Sequence, residues 1–190
     1  MFDTVLIAGL GLMGGSMAKT IKARTLSRVL GWNRTPRADL SDLVEAVELD
    51  ELLSRSDIVS LHLTACPETE HFIDVAAIEK MKDGAVLINT ARGPLVNNSA
   101  LIDALESGKL SGAGLDVFDG DRLIYYRDFK NQLIAQRQMA ILNAMPNVLM
   151  LPHMAYYTDQ AVEDMVRNSL DGAARYLNGE EDPWLIGEKV

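Results

Sequence analysis

Thr4-Val5-Leu6-Ile7-Ala8-Gly9-Leu10-Gly11-Leu12-Met13-Gly14-Gly15-Ser16 is an apolar run that breaks into spaced glycines and resumes as a helical pattern through Met17, Ala18 and Ile21. That order predicts a strand, a tight turn and a helix. Gly9 lets the backbone turn sharply, Gly11 leaves room for a pyrophosphate to approach, and Gly14 lets the helix pack closely on its strand. The N–H groups of Leu12 and Met13 then face an anion at the positive end of the helix. A glycine turn alone is common and can be purely structural. The strand before this one and the helix after it point to a dinucleotide site.

Working outward, the chain has 190 residues, 48% of them apolar and 24% charged. That is enough for one full core and short for two, so residues 1–190 are expected to form a single dinucleotide-binding domain. The net charge of −9 comes without a Lys/Arg cluster, which argues against a nucleic-acid or anionic-membrane partner. Cys66 is the one cysteine and has no internal disulfide partner. With no signal peptide or long apolar span in view, the expected setting is soluble and cytoplasmic. His62, His71, His153 and Cys66 show no metal-ligand spacing, so no metal site is expected.

After a helix from about Gly14 to Arg24, a second strand over Arg28–Trp32 ends at Asn33-Arg34-Thr35-Pro36-Arg37. An acidic residue at this tip would accept hydrogen bonds from the adenosine ribose of NAD and repel the extra phosphate of NADP. Asn33 is neutral, and Arg34 and Arg37 are placed to pair with a 2′-phosphate. The tip therefore favours NADP. The alternative is that both arginines are solvated and NAD binds through its hydroxyls.

Further strands are expected over residues 58–63, 85–90, 112–117 and 148–151, with helices near 49–56, 75–81, 99–107, 136–144 and 159–177. This alternation is the pattern of an α/β doubly wound parallel sheet, the Rossmann arrangement. His62, inside an apolar run, reads as a hydrogen-bonded core histidine, and His71 as a loop or surface residue. Residues 118–135 break the rhythm as a long irregular loop, which in a compact domain is usually functional or an interface.

Arg92, Asp116 and His153 fall at the carboxyl ends of expected strands, and Asp121 lies in the loop after one of them. A parallel sheet presents all of these at the edge that carries the glycine turn. Hydride transfer between a nicotinamide and a 2-oxo acid needs a cation for the carboxylate and an acid for the developing alkoxide. Arg92 and His153 could supply them, with Asp121 orienting the imidazole.

At these residues the chain resembles a known family. Asn89-Thr90-Ala91-Arg92-Gly93-Pro94-Leu95-Val96, Gly114-Leu115-Asp116-Val117 and Pro152-His153-Met154-Ala155 look like the D-isomer-specific 2-hydroxyacid dehydrogenases, from about Arg34 to Gly179. Tyr125-Tyr126 and Ala155-Tyr156-Tyr157-Thr158 bring the chain nearest the D-lactate dehydrogenase-like branch. The resemblance implies Arg92 as the substrate-binding arginine, His153 as acid/base and Asp121 as its acidic partner. It also implies cofactor contacts from Leu12, Met13, Asn33, Leu63, Thr64, Thr69, Thr90, Ala91 and Asp116, next to the Arg34 and Thr35 expected above. A homodimer formed through this domain is implied as well.

There are departures. The family usually has Glu where Asp121 stands, and the shorter side chain reaches less far. The segment that builds most of the family's substrate domain, ahead of the glycine turn, is absent, so one wall of a closed cleft must come from elsewhere. The opening through Asn33-Arg34 resembles a prephenate dehydrogenase start more than a hydroxyacid dehydrogenase start, as in a mosaic or engineered chimera. Three functions are therefore open: an oxidoreductase acting on a small 2-oxo acid, a dinucleotide-binding module without turnover, and a prephenate dehydrogenase-like enzyme.

Overall fold

The computed structural model describes residues 3–182; the tail that carries Pro183 and Trp184 lies outside the described residues. The chain divides into one compact unit ending at Pro152 and a second beginning at His153.

In the first unit the expected alternation is realised. Strands β1 (Thr4–Ala8), β2 (Arg28–Trp32), β3 (Glu45–Ala46), β4 (Ile58–Leu61), β5 (Ala85–Asn89), β6 (Leu110–Leu115) and β7 (Val148–Met150) form one sheet in the order β3-β2-β1-β4-β5-β6-β7. Every pairing is parallel. Helices α1 (Leu12–Arg24), α2 (Leu49–Arg55), α3 (Val75–Lys80), α4 (Asn98–Glu106) and α5 (Arg137–Ala144) make the connections. Strand order reverses between β1 and β4, and this switch point is where such sheets open a crevice at their carboxyl ends.

Successive residues of β1 point to opposite faces. Leu6 and Ala8 join a large core with α2, α3 and α4, while Ile7 joins a smaller one with Ala18, Val29, Leu40 and Val44. All of these are at most 7% exposed, which is why β1 reads as a continuous apolar run rather than an alternating one.

Several boundaries differ from the sequence reading. Helix α1 begins at Leu12, two residues earlier than expected, so Gly14 and Gly15 lie inside its first turn. Strands β4, β5, β6 and β7 stop one or two residues short of the predicted ends. The residue after β4, β6 and β7 still donates one ladder bond before the chain leaves for the rim: His62 N–H to Ala8, Asp116 N–H to Asn89 and Leu151 N–H to Leu115. Strand β3 was not expected; its two exposed residues have no apolar pattern, and Glu45 is held by Arg28 at 2.8 Å and Arg55 at 2.9 Å.

The second unit is built on α6 (Asp159–Asn178). Thr158 caps it, accepting the Ala161 N–H at 3.2 Å, and Gly179 ends it at φ 68°. Among the described residues no helix is long and apolar enough to cross a membrane.

The turn itself rests on one close approach. Gly9 has φ 95°, and a β-carbon on Gly14 would collide with the Gly9 carbonyl oxygen. A β-carbon on Gly11 would meet nothing within 4 Å. Gly14→Ala should therefore cost about 2–3 kcal/mol through overpacking, read as a lower urea midpoint. Gly11→Ala should keep the wild-type midpoint, and an unaffected Gly14→Ala would contradict the packing argument.

At the amino edge, Asp57 ties β4 to β1. Its carboxylate accepts Lys82 Nζ at 2.7 Å and the Asp3 and Thr4 N–H groups at 2.9 Å. Lys82 first, then these N–H groups, hold its carboxyl below the usual range. A depressed carboxyl contributes stability above its unfolded value, about pH 4, and loses it as the pH falls through the depressed one. Asp57→Asn should therefore lower the urea midpoint at pH 7, and the two proteins should converge as the pH falls through the depressed value.

Candidate active site

The rim above the switch point carries two adjoining concavities. One, of about 640 Å³, is lined by Gly9 and Gly11 of the turn, by Asn33, Arg34 and Thr35 after β2, and by Thr64 and Thr69 after β4. The other, of about 360 Å³, is lined by Met13, Met17, Thr90, Ala91 and Arg92. Leu63 and Thr64 border both, so the two form one path along the rim. An open hollow of about 930 Å³, lined by Asp3 and residues 22–28, is larger but belongs to the opposite edge and has no glycine turn. Size alone does not mark the site here.

The glycine turn fits an anion. No side chain caps α1, which leaves its first-turn N–H groups available, and Leu12 and Met13 are 89% and 70% exposed above them. Asn33 supports the turn from below. Its Oδ1 accepts the Leu10 N–H at 3.0 Å and its Nδ2 donates to the Thr35 carbonyl at 2.6 Å.

Arg37 has a structural role where the sequence reading gave it a phosphate. It forms two hydrogen bonds to Asp39, at 2.8 and 2.7 Å, and donates to the Leu10 carbonyl. Arg34 is therefore the guanidinium that faces the larger concavity. Glu68 borders the same space, its carboxyl held below the usual range first by the Cys66 side chain and also by the Arg34 charge.

Arg92 is positioned by a fully buried neighbour. Asn89 donates from Nδ2 to the Arg92 carbonyl at 2.9 Å and accepts the Ala91 N–H at 3.1 Å, closing a tight loop after β5. The Arg92 guanidinium donates to the Ala91 carbonyl at 2.6 Å. Gly93 is needed next, because a β-carbon there would strike the Phe118 carbonyl.

That contact links the Arg92 loop to the one after β6, where Asn98 donates to the Asp119 carbonyl at 2.9 Å and His71 meets the Asp119 carboxylate at 3.4 Å. A 3-10 turn over Asp121–Leu123 follows, with Gly120 at φ 97°. Tyr125 then donates to the Leu151 carbonyl at 3.0 Å, tying this loop to the end of β7. Burial, with the Asp121 and Asp116 carboxylates adding to it, pushes the Tyr125 phenol up to about 12, so it stays a donor.

Of the expected site residues, the structure brings Gly9, Gly11, Asn33, Arg34, Thr35 and Thr69 to the larger concavity. It brings Met13, Thr90, Ala91 and Arg92 to the smaller one. Leu12 and Gly14 build the turn, while Asp116 and Asp121 sit on the rim loops without lining either space. His153 opens the second unit directly after Pro152, with φ 54°.

The sequence reading missed Arg122, which lines the smaller concavity. The hydrogen bond expected of His62 is present, but the core placement is not. That residue lies just past β4, is half-buried, and borders both concavities, with Nε2 at 3.0 Å from Ser60 Oγ. A strand end two residues earlier, at Leu61, would have revealed it.

Burial pushes the His62 imidazole below its ordinary value. A ring that must charge loses stability as the pH falls from about 6.5 through the depressed value, and keeps it above. An NMR titration of the His62 ring should show a midpoint below about 6.5, and a midpoint above that would contradict the burial. Tyr125→Phe should cost about 1 kcal/mol in urea unfolding, the worth of one hydrogen bond.

Comparison with known proteins agrees with this geometry. Residues 2–155 match the family described as "D-isomer specific 2-hydroxyacid dehydrogenase, NAD binding domain", a match that takes in the glycine turn and Arg34. A D-lactate dehydrogenase of Treponema pallidum is 38% identical over 174 residues, 92% of this chain and 52% of the relative. A D-specific alpha-keto acid dehydrogenase of Enterococcus faecium is 38% identical over 178 residues, 94% of this chain and 54% of the relative. The crystal structure of a D-lactate dehydrogenase with NAD+ from Lactobacillus jensenii superposes with a TM-score of 0.87 at 32% identity, covering 98% of this chain and 56% of that one. The chain thus spans about half the length of the curated relatives it matches. It belongs to the D-isomer specific 2-hydroxyacid dehydrogenase family and carries that family's NAD-binding domain.

Proposed function

We propose that this chain takes part in hydride transfer between a nicotinamide cofactor and a small 2-oxo acid, giving a D-2-hydroxy acid. The carrying observation is the continuous path from the glycine turn to Arg92 along one rim. In this reading the first-turn N–H groups of α1 hold the pyrophosphate, and residues 33–35, Thr64 and Thr69 hold the adenosine end. The cofactor supplies the hydride. Leu63, Thr90, Ala91 and Asp116 border or brace the nicotinamide end.

Arg92 has the guanidinium geometry to grip a carboxylate and polarise the adjacent carbonyl. By the family resemblance, His153 is the acid for the developing alkoxide and Asp121 its acidic partner. The Asp121 backbone is fixed by its own 3-10 turn, its carbonyl accepting the Ile124 and Tyr125 N–H groups at 2.9 and 2.7 Å. Residues 1–190 act as one dinucleotide-binding domain in this reading, working in the cytoplasm as a homodimer whose substrate wall is not built by these residues.

The second reading is a binding module that holds the dinucleotide without turnover, favoured by the match to the family's NAD-binding domain. Following NADH oxidation with pyruvate, glyoxylate and phenylpyruvate separates the two. Turnover lost by at least about 100-fold in Arg92→Ala, with NADH affinity unchanged, is the expected result. Cofactor binding with no turnover on any acid would sink the enzyme reading for this chain.

We further infer a preference for NADP, carried by Arg34 at the β2 tip, where no acidic residue stands. Arg34→Ala should weaken NADPH binding about tenfold and leave NADH binding unchanged, as expected for losing one charge-assisted contact. Equal loss for both cofactors would remove the inference.

A further inference from the structure

Arg122 is a second guanidinium in the cavity that holds Arg92, and it comes from a different loop. Among the described residues the Arg122 side chain makes no hydrogen bond or ion pair, and the Arg92 guanidinium bonds only to the Ala91 carbonyl. No Asp or Glu lines this cavity, although the chain carries 27 acidic residues against 18 basic ones. His62, the other titratable group there, is held toward its neutral form by burial. An acidic protein has thus kept one small space facing two fixed positive charges.

The placement is built into the fold. The Arg122 backbone belongs to the 3-10 turn that Leu123 N–H closes onto the Gly120 carbonyl at 3.1 Å. Buried Asn98 and buried Ile124 pin the loop on either side. The dinucleotide pyrophosphate has its own donors at the glycine turn, which borders the other cavity, so Arg122 is left over once the cofactor is seated.

Two like charges facing a common space repel, and a ligand with two anionic groups relieves both at once. Each guanidinium can meet a carboxylate through paired hydrogen bonds. An apolar side chain beside Arg122 would instead strip its water without replacing it.

We propose that Arg122 is a specificity-determining residue and that the site takes a 2-oxo acid bearing a second carboxylate, Arg92 holding the first and Arg122 the second. This rests on the 2-oxo acid reading above. The test is calorimetric titration of the 190-residue chain, saturated with NAD+ so that no reduction occurs, with 2-oxoglutarate and with 2-oxopentanoate. These have the same chain length and differ in the terminal carboxylate.

The dicarboxylate should bind at least about tenfold more tightly, the worth of one charge-assisted contact. Arg122→Gln should bring the two affinities together without changing NAD+ affinity, and Arg122→Lys should keep part of the difference. Equal affinities in the wild type, or a difference that survives Arg122→Gln, would overturn the inference and leave the 2-oxo acid reading standing. Loss of NAD+ affinity in Arg122→Gln would assign the residue to the cofactor and overturn it too. Binding of neither acid to the NAD+-loaded chain would overturn the 2-oxo acid reading, and this inference with it.

Discussion

The carbonyl of Gly9 and the α-carbon of Gly14 lie so close that no side chain fits between them. This contact seats the first turn of α1 directly on the end of β1, and the rest of the site is arranged around it. With the helix seated there, its first N–H groups face outward over the rim. The strand order then places β4, with β5 beyond it, on one side of β1 and β2 on the other, so the loops that leave these carboxyl ends border the same crevice.

Side-chain amides carry that order from strand to strand. Asn89 closes the Arg92 loop, Asn98 grips the loop after β6, and Asn33 braces the turn itself. Each uses both donor and acceptor on backbone groups, and no buried side-chain polar atom among the described residues lacks a partner. Charged groups are left facing the concavities, while neutral amides hold the backbone beneath them. This division lets a loop end carry a guanidinium without the loop drifting.

The fold was largely legible in the sequence because parallel strands buried on both faces leave apolar runs, and glycine spacing marks the turn. The two-residue strand β3 was not, since its pairing depends on β2 being alongside rather than on any pattern in Glu45 and Ala46. Within the site, Arg92 stood out at a strand end, whereas Arg122 lies one residue past Asp121 in an irregular loop and no periodicity points to it. Arg34 and Arg37 looked equivalent as letters. Only the local turn, which puts Asp39 within 2.7 Å of Arg37, tells them apart.

The central claim is that a nicotinamide dinucleotide lies along the carboxyl rim, from the glycine turn to the Arg92 loop. Amide hydrogen exchange of the chain with and without NAD+ tests it most directly. The account predicts slowed exchange at residues 9–15, 62–65 and 89–92, which build the two rim concavities, with residues 22–28 at the opposite edge unchanged. Protection centred on residues 22–28, or none at the glycine turn while NAD+ is bound, would contradict it.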